Sequence, residues 1–375
     1  MKDNRRSFIM KSAALAAAVS TAGLSSCTAG NNIAGKRAYE KDAGIKFCEL
    51  MGLDSPRVPF CRQLDVRYSV SNVKRLEGYR PWDPETIRAT KESWDKAGIK
   101  WYVVEGPPSL GTKTKLGLDG RDEEISNFIT FMKNLKQYGD VDTICYNWMP
   151  VISWARTNTE YPGRGGALML EFDYEEMKKA PLTEYGEISK EKLWETLEYF
   201  MKAVMPEAEK IGMKLSMHPD DPQVDVIQGI SRIINTVASY DRLLAMYPKA
   251  CNTVTFCQAN FSTMPDLPDL PTQIRKWGSD VISFVHFRNL RDLSGGAKPS
   301  THFTETFHDE GDIDMYECMK AYYDIGYKGP MRPDHVPVLS TEIEAGQRGG
   351  YTTLGMLYAI GYMRGLTEAI GRNYA

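Results

Sequence analysis

The chain has 375 residues, 42% of them hydrophobic and 25% charged, with a formal net charge of −3 at pH 7. This composition is too apolar for a disordered chain, and too near neutral for the strongly basic face that nucleic-acid binding needs. Its length suffices for one large barrel or two average domains.

From the N-terminus, residues 1–30 read as a targeting segment. Arg5-Arg6-Ser7-Phe8-Ile9-Met10-Lys11 resembles a twin-arginine export motif, and the apolar run from Ala13 to Leu24 is too short to span a bilayer. Leu24-Ser25-Ser26-Cys27 resembles a lipobox with an acylated cysteine; a plain signal peptide is the alternative. The expectation is an exported protein of the periplasm or cell envelope, with membrane contact only through a lipid anchor at Cys27. Residues 31–60 read as a polar tether and N-terminal extension, and 61–375 as a single catalytic domain. Of the seven cysteines, those after Cys27 are scattered and lack disulfide-framework spacing.

Eight strands are predicted along the rest of the chain: Gln63–Ser69, Lys100–Glu105, Thr143–Met149, Lys214–His218, Thr253–Gln258, Ile282–Arg288, Phe303–His308 and Pro330–Asp334. Several are continuous apolar runs, as expected of strands buried on both faces of a parallel sheet. Helices separate them. One starts at Asp83-Pro84, with Asp83 as N-cap, carries Ile87, Trp94 and Ala97 on one face, and stops at Gly98. A second carries Leu193, Leu197, Phe200, Met201 and Val204, ends at Gly212, and is expected to kink at Pro206. A third runs from Leu354 to Ile370. The alternation predicts an α/β fold, a single-domain (β/α)₈ TIM barrel, and no Gly-rich dinucleotide fingerprint favours a doubly wound sheet. The long Gly- and Pro-rich segment from Asn158 to Leu182 reads as a loop that acts as a lid.

All five histidines lie beyond residue 217. His218, His286, His308 and His335 fall at predicted strand ends, the rim where barrel enzymes keep their active sites. His302 reads as a surface loop residue. Cys257 ends another of these strands, and Asp334 adjoins His335. Imidazole, thiolate and carboxylate groups meeting on one rim suit a divalent transition metal.

These strand ends also carry a family likeness. Together with Cys145-Tyr146-Asn147-Trp148-Met149-Pro150-Val151, Trp154-Ala155-Arg156-Thr157, Phe303-Thr304-Glu305, Gly311-Asp312-Ile313-Asp314-Met315 and Gly350-Tyr351, they resemble the mannonate dehydratases over roughly residues 80–370. The resemblance implies a lyase that dehydrates D-mannonate or a related aldonic acid, a small-molecule sugar acid, to 2-keto-3-deoxy-D-gluconate in hexuronate breakdown. It also implies a Mn²⁺- or Fe²⁺-type ion held by His218, Cys257, His286 and Asp334, with His335 the alternative at the last of these positions. His335 and Tyr351 would be the proton-transfer pair. Arg156, Arg288 and Arg332, with Asn147, Asp220 and His308, would contact substrate; for His308, capping the loop is an equal alternative. A homodimer is usual for such barrels.

The chain departs from the family where members carry a histidine pair after the first strand, since Val66-Arg67-Tyr68-Ser69 stands there, and where Ser153 replaces an aspartate. The reaction class is therefore expected to hold while the substrate differs. A metal-dependent sugar isomerase or epimerase on the same barrel is the second reading, separable by whether a keto acid forms. A sugar-acid binding protein without catalysis is the third, and the proton-transfer pair argues against it.

Overall fold

Apolar strands that alternate with amphipathic helices bury both strand faces when the sheet closes on itself. The computed structural model describes residues 44–374, and there the sheet does close. Numbered along the chain, the barrel strands are β1 (Lys46–Leu50), β2 (Tyr68–Val70), β3 (Lys100–Glu105), β4 (Thr143–Tyr146), β7 (Lys214–Met217), β10 (Asn252–Cys257), β11 (Ile282–His286) and β14 (Pro330–Arg332). They run in that cyclic order, all parallel, and β14 closes the ring against β1 through Lys46 opposite Pro330 and Phe47 opposite Met331. Every residue of β10 and β11 is buried, the polar Asn252, Thr253, Thr255, Ser283 and His286 together with the apolar ones.

The helices follow their sequence patterns. Pro84–Ala97 buries Ile87 and Trp94 and ends at Gly98, whose φ of 71° is a left-handed conformation that glycine adopts freely. Asp83 occupies the N-cap position, but its carboxylate accepts from the Arg80 backbone N–H at 2.8 Å instead of capping the helix. Lys190–Ile211 buries Leu193, Leu197, Phe200, Met201 and Val204, contains Pro206, and ends at Gly212 as expected. The last helix spans Thr353–Gly371.

Two of the expected strand assignments change. The first barrel strand is β1, inside the stretch that reads as tether and extension; its sequence Lys-Phe-Cys-Glu-Leu is short and flanked by charge, so it gives little apolar signal. The segment around Tyr68 is therefore the second strand. The expected seventh strand is also displaced, because β11 pairs directly with β14, with His286 opposite Arg332. The segment concerned forms β13 (His302–Glu305) in a separate antiparallel sheet with β5 (Asn158–Pro162), β6 (Leu168–Asp173) and β12 (Arg291–Asp292), while β8 (Val226–Ile227) and β9 (Ile230–Ser231) pair only with each other. The stretch expected to be a lid loop is thus largely the β5–β6 hairpin and the short helix Tyr174–Met177. Alternation of buried and less buried positions in Leu168–Asp173 supports this strand. The export and lipobox motifs lie outside the described residues.

One packing test follows from the helix Lys190–Ile211. Phe200 is fully buried, with ring centroids 5.2 Å from both Phe128 and Trp148. Phe200→Ala should destabilise the fold by about 3–5 kcal/mol, measured as a lowered urea midpoint; a change under about 1 kcal/mol would mean the cluster is dispensable.

Candidate active site

Parallel register sets the site. Cys257 on β10 lies opposite His286 on β11, and His286 lies opposite Arg332 on β14, so three neighbouring strands end on one rim. His218 follows β7 directly and reaches across, its Nε2 3.2 Å from His286 Nδ1. Asp334 follows β14; its Oδ2 is 3.6 Å from His286 Nδ1 and 3.7 Å from Cys257 Sγ. Donor atoms of His218, Cys257 and His286 all lie within 4.8 Å of one another. Metal–ligand bonds of about 2.0–2.3 Å in tetrahedral geometry set ligand atoms roughly 3.3–3.8 Å apart. The separations of 3.2, 3.6 and 3.7 Å lie close to this range, and two nitrogens, a sulfur and a carboxylate oxygen are a donor set that suits a divalent transition ion. The other ring nitrogen of His286, Nε2, accepts from Arg332 Nε at 3.1 Å and lies 3.6 Å from Glu105 Oε2, which fixes the ring's orientation.

Asp334 reaches this point with a φ of 89°, a left-handed backbone that non-glycine residues seldom adopt. Such strain persists only where surrounding contacts hold it, commonly at functional sites. Here Arg288 Nε bonds Asp334 Oδ2 at 2.6 Å, Arg332 Nη1 lies 2.7 Å from Oδ1, and the Tyr351 hydroxyl donates to Oδ1 at 3.2 Å. Burial works to raise the Asp334 pKa, but Arg332, His335 and His286 hold it well below the usual carboxylate range.

A second cluster adjoins the first. Glu305, from β13 of the antiparallel sheet, accepts through Oε1 from Arg156, Arg288 and His335, the last through Nδ1 at 2.7 Å. Asp221 binds Arg156 with both oxygens, at 2.8 and 3.1 Å, and Arg288 at 3.0 Å. Glu105, at the end of β3, binds Arg332 at 2.9 and 3.1 Å. Burial favours a neutral Glu105, yet Arg332 and then His286 outweigh it and lower its pKa to about 2.

A cavity of about 270 Å³ opens onto these groups, lined among others by Glu105, Asn147, Trp154, Asp221, His335 and Tyr351. Trp154 is 45% exposed, its ring 5.1 Å from that of His335, and it presents an aromatic face at the mouth. Most of the expected site residues therefore gather in one place: His218, Cys257, His286, Asp334, His335, Tyr351, Arg156, Arg288 and Arg332. Asn147 lines the cavity, but its Oδ1 is taken by Lys115 Nζ at 2.8 Å and the Met149 N–H at 3.1 Å.

Two residues expected to contact substrate lie elsewhere. Asp220 is fully buried and accepts from the Ile234 N–H at 2.7 Å, holding the loop after β7, while its neighbour Asp221 faces the cavity. His308 bonds the Phe287 carbonyl at 2.6 Å behind the site. It is not at a barrel strand end because its segment left the barrel. His302 sits on β13 rather than in a loop, 2.9 Å from Glu171. Sequence reasoning gave no role to Glu105, Asp221 or Glu305. An acid ending a predicted strand marks Glu105, whereas nothing in the Asp220-Asp221 pair says which turns inward.

The family description D-mannonate dehydratase (UxuA) matches residues 71–183 and 175–375. The chain belongs to the mannonate dehydratase family. It is 36% identical over 313 residues to the mannonate dehydratase of Streptococcus agalactiae serotype III (strain NEM316), covering 77% of this chain and 87% of that one. It is also similar to the crystal structure of mannonate dehydratase from Streptococcus suis serotype2, with a TM-score of 0.76 and 28% identity over 88% of this chain and 96% of that one. A xylose isomerase domain protein from Planctomyces limnophilus shares the fold alone, at 11% identity over 88% of this chain and 98% of that one, with a TM-score of 0.55. This mannonate dehydratase family member is thus a hydro-lyase on a metal-dependent scaffold, and the isomerase or epimerase reading is not favoured. The expected export to the periplasm or envelope is withdrawn, since the similarity of the chain is to mannonate dehydratases and lends no support to an export signal.

His308 yields a pH prediction. Burial lowers its pKa from 6.5 to about 4, against the opposing hydrogen bond to Phe287. Between these values the unfolded chain binds the proton and the folded chain does not, so stability rises with pH there and falls on acidification. The slope from this residue approaches about 1.4 kcal/mol per pH unit. Urea midpoints of wild type and His308→Gln should diverge in their pH dependence across this window, and parallel curves would refute the assignment.

Proposed function

We propose that this protein removes water from D-mannonate to give 2-keto-3-deoxy-D-gluconate, using a Mn²⁺- or Fe²⁺-type ion held by His218, Cys257, His286 and Asp334. The observation that carries this reading is the convergence of those four donors beside a cavity that also holds His335 and Tyr351. The bound ion supplies Lewis-acid stabilisation of the negative charge that develops on the substrate carboxylate as C2 loses its proton.

The chain's own groups account for the remaining work. Glu305 takes the Nδ1 side of His335, leaving Nε2 to face the cavity side of Asp334 at 3.8 Å. Tyr351 packs edge-on against His335, ring centroids 5.2 Å apart. One of this pair withdraws the C2 proton and the other protonates the departing C3 hydroxyl. Water leaves, and the resulting enol takes a proton at C3 and gives up the proton of its C2 hydroxyl to become the keto acid. Arg332 is the arginine among the residues that line the cavity, and its guanidinium can receive the substrate carboxylate. Arg156 and Arg288, engaged by Asp221 and Glu305, hold those carboxylates in place. Trp154 offers its face to the sugar chain.

Purified protein loaded with Mn²⁺ should convert D-mannonate to a product that reacts as an α-keto acid. His286→Ala should lose both bound metal, measured by elemental analysis, and turnover. Tyr351→Phe should retain the metal and lose about 10²–10⁴-fold in kcat, the usual contribution of a positioned proton-transfer group. A fully active His286→Ala variant would remove the metal site from the mechanism.

A further inference from the structure

Beside the catalytic cavity runs a second and larger depression of about 860 Å³, and the two share Leu50, Glu105 and Tyr351 as walls. Ligand pockets commonly hold about 300–1,000 Å³. The catalytic cavity, at about 270 Å³, is thus sized for a single small sugar acid, whereas the groove has room for a further unit. The loop after β2 and the helix Pro84–Ala97 line it with Lys74, Arg75 and Lys96. Arg75 and Lys96 are exposed and Lys74 half-buried, its Nζ 3.4 Å from the Ser93 hydroxyl. Among the described residues, no carboxylate forms an ion pair with any of the three.

The acids on the same walls do not balance them. Glu105 is engaged by Arg332, and the one other lining carboxylate is Asp54. Arg57 adds a fourth cation, paired with Glu49 and bonded to the Leu50 carbonyl at 2.7 Å. A groove with this sign, in a chain whose net charge is −3, is a local reversal that concentrates anions at the entrance.

We infer that the groove is a second subsite for an acidic sugar unit, so that D-mannonate is the reacting head of a longer substrate: an aldonate glycosylated by a uronic acid at its end remote from C2 and C3. This rests on the dehydratase reading of the adjoining cavity. The volume favours a whole sugar unit over a terminal phosphate, which would leave most of the groove unfilled.

The test compares four compounds with the full-length, Mn²⁺-loaded protein: D-mannonate, D-mannonate bearing a glucuronosyl unit, the same aldonate bearing a neutral glucosyl unit, and 6-phospho-D-mannonate. The glucuronosyl compound should exceed D-mannonate in kcat/KM by roughly tenfold, the order expected from two or three partly screened charge pairs formed together. Its advantage over the glucosyl compound should collapse in an Arg75→Ser, Lys96→Ser double variant. Equal rates for the acidic and neutral glycosides, or a preference for the phosphate, would overturn the inference while leaving the dehydratase reading intact. If no compound is turned over, the dehydratase reading fails, and calorimetry decides on the subsite. Tighter binding of the glucuronosyl aldonate by wild type than by the double variant supports it, and equal binding overturns it.

Discussion

Arg288 is where the cluster of His218, Cys257, His286 and Asp334 and the cluster around Asp221 and Glu305 become one structure. Its buried guanidinium touches Asp334, Asp221, Glu305 and Asn260, and its Nε lies 3.4 Å from Cys257 Sγ. An ionised side chain taken from water costs several kcal/mol unless partners surround it, and removal of one partner leaves the others uncompensated. Cys257 and Asp334 belong to one half of the site, Asp221 and Glu305 to the other. Neither half can shift without disturbing the charge balance of its neighbour. The barrel therefore presents a preset arrangement instead of a set of independent side chains, which is the condition for electrostatic stabilisation without reorganisation.

The antiparallel sheet has a matching purpose. Barrel strands alone place Glu105, Cys257, His286 and Arg332 on the rim, all at or near strand ends. Glu305 arrives from outside, on β13, which pairs with β6 through Thr304 opposite Glu171 and Glu305 opposite Leu170. The sheet thereby orients His335 through Glu305, while the barrel orients His286 through Arg332 and Glu105. The segment between β4 and β7 contributes Arg156 as well, so this excursion from the barrel supplies both a cation and the frame for its acid.

Much of this arrangement was legible in the sequence. Continuous apolar runs located seven of the expected strands near barrel strands, because burial on both faces leaves a simple compositional trace. Histidines at the ends of such runs, with the family likeness, marked His218, His286 and His335. The trace failed where burial is uneven. Lys46–Leu50 reads as charged, and Phe303–Glu305 is strand-like in any sheet, so periodicity cannot assign it to the barrel. Glu305 and Asp221 escaped notice because their importance lies in long-range pairing, Arg156 with Asp221 and Arg156 with Glu305, and acids give no local signal for a distant partner.

The closure of β14 against β1 has a temporal side. Strand pairing between Lys46 and Pro330 joins residues near opposite ends of the chain, and contacts of such separation form slowly because loop entropy must be overcome first. During synthesis on the ribosome, Asp334 and His335 emerge among the last elements, after most of the ring is already outside. Until β14 has emerged, His218, Cys257 and His286 stand without Asp334, so an ion held as proposed would meet a complete set of four donors only late in synthesis.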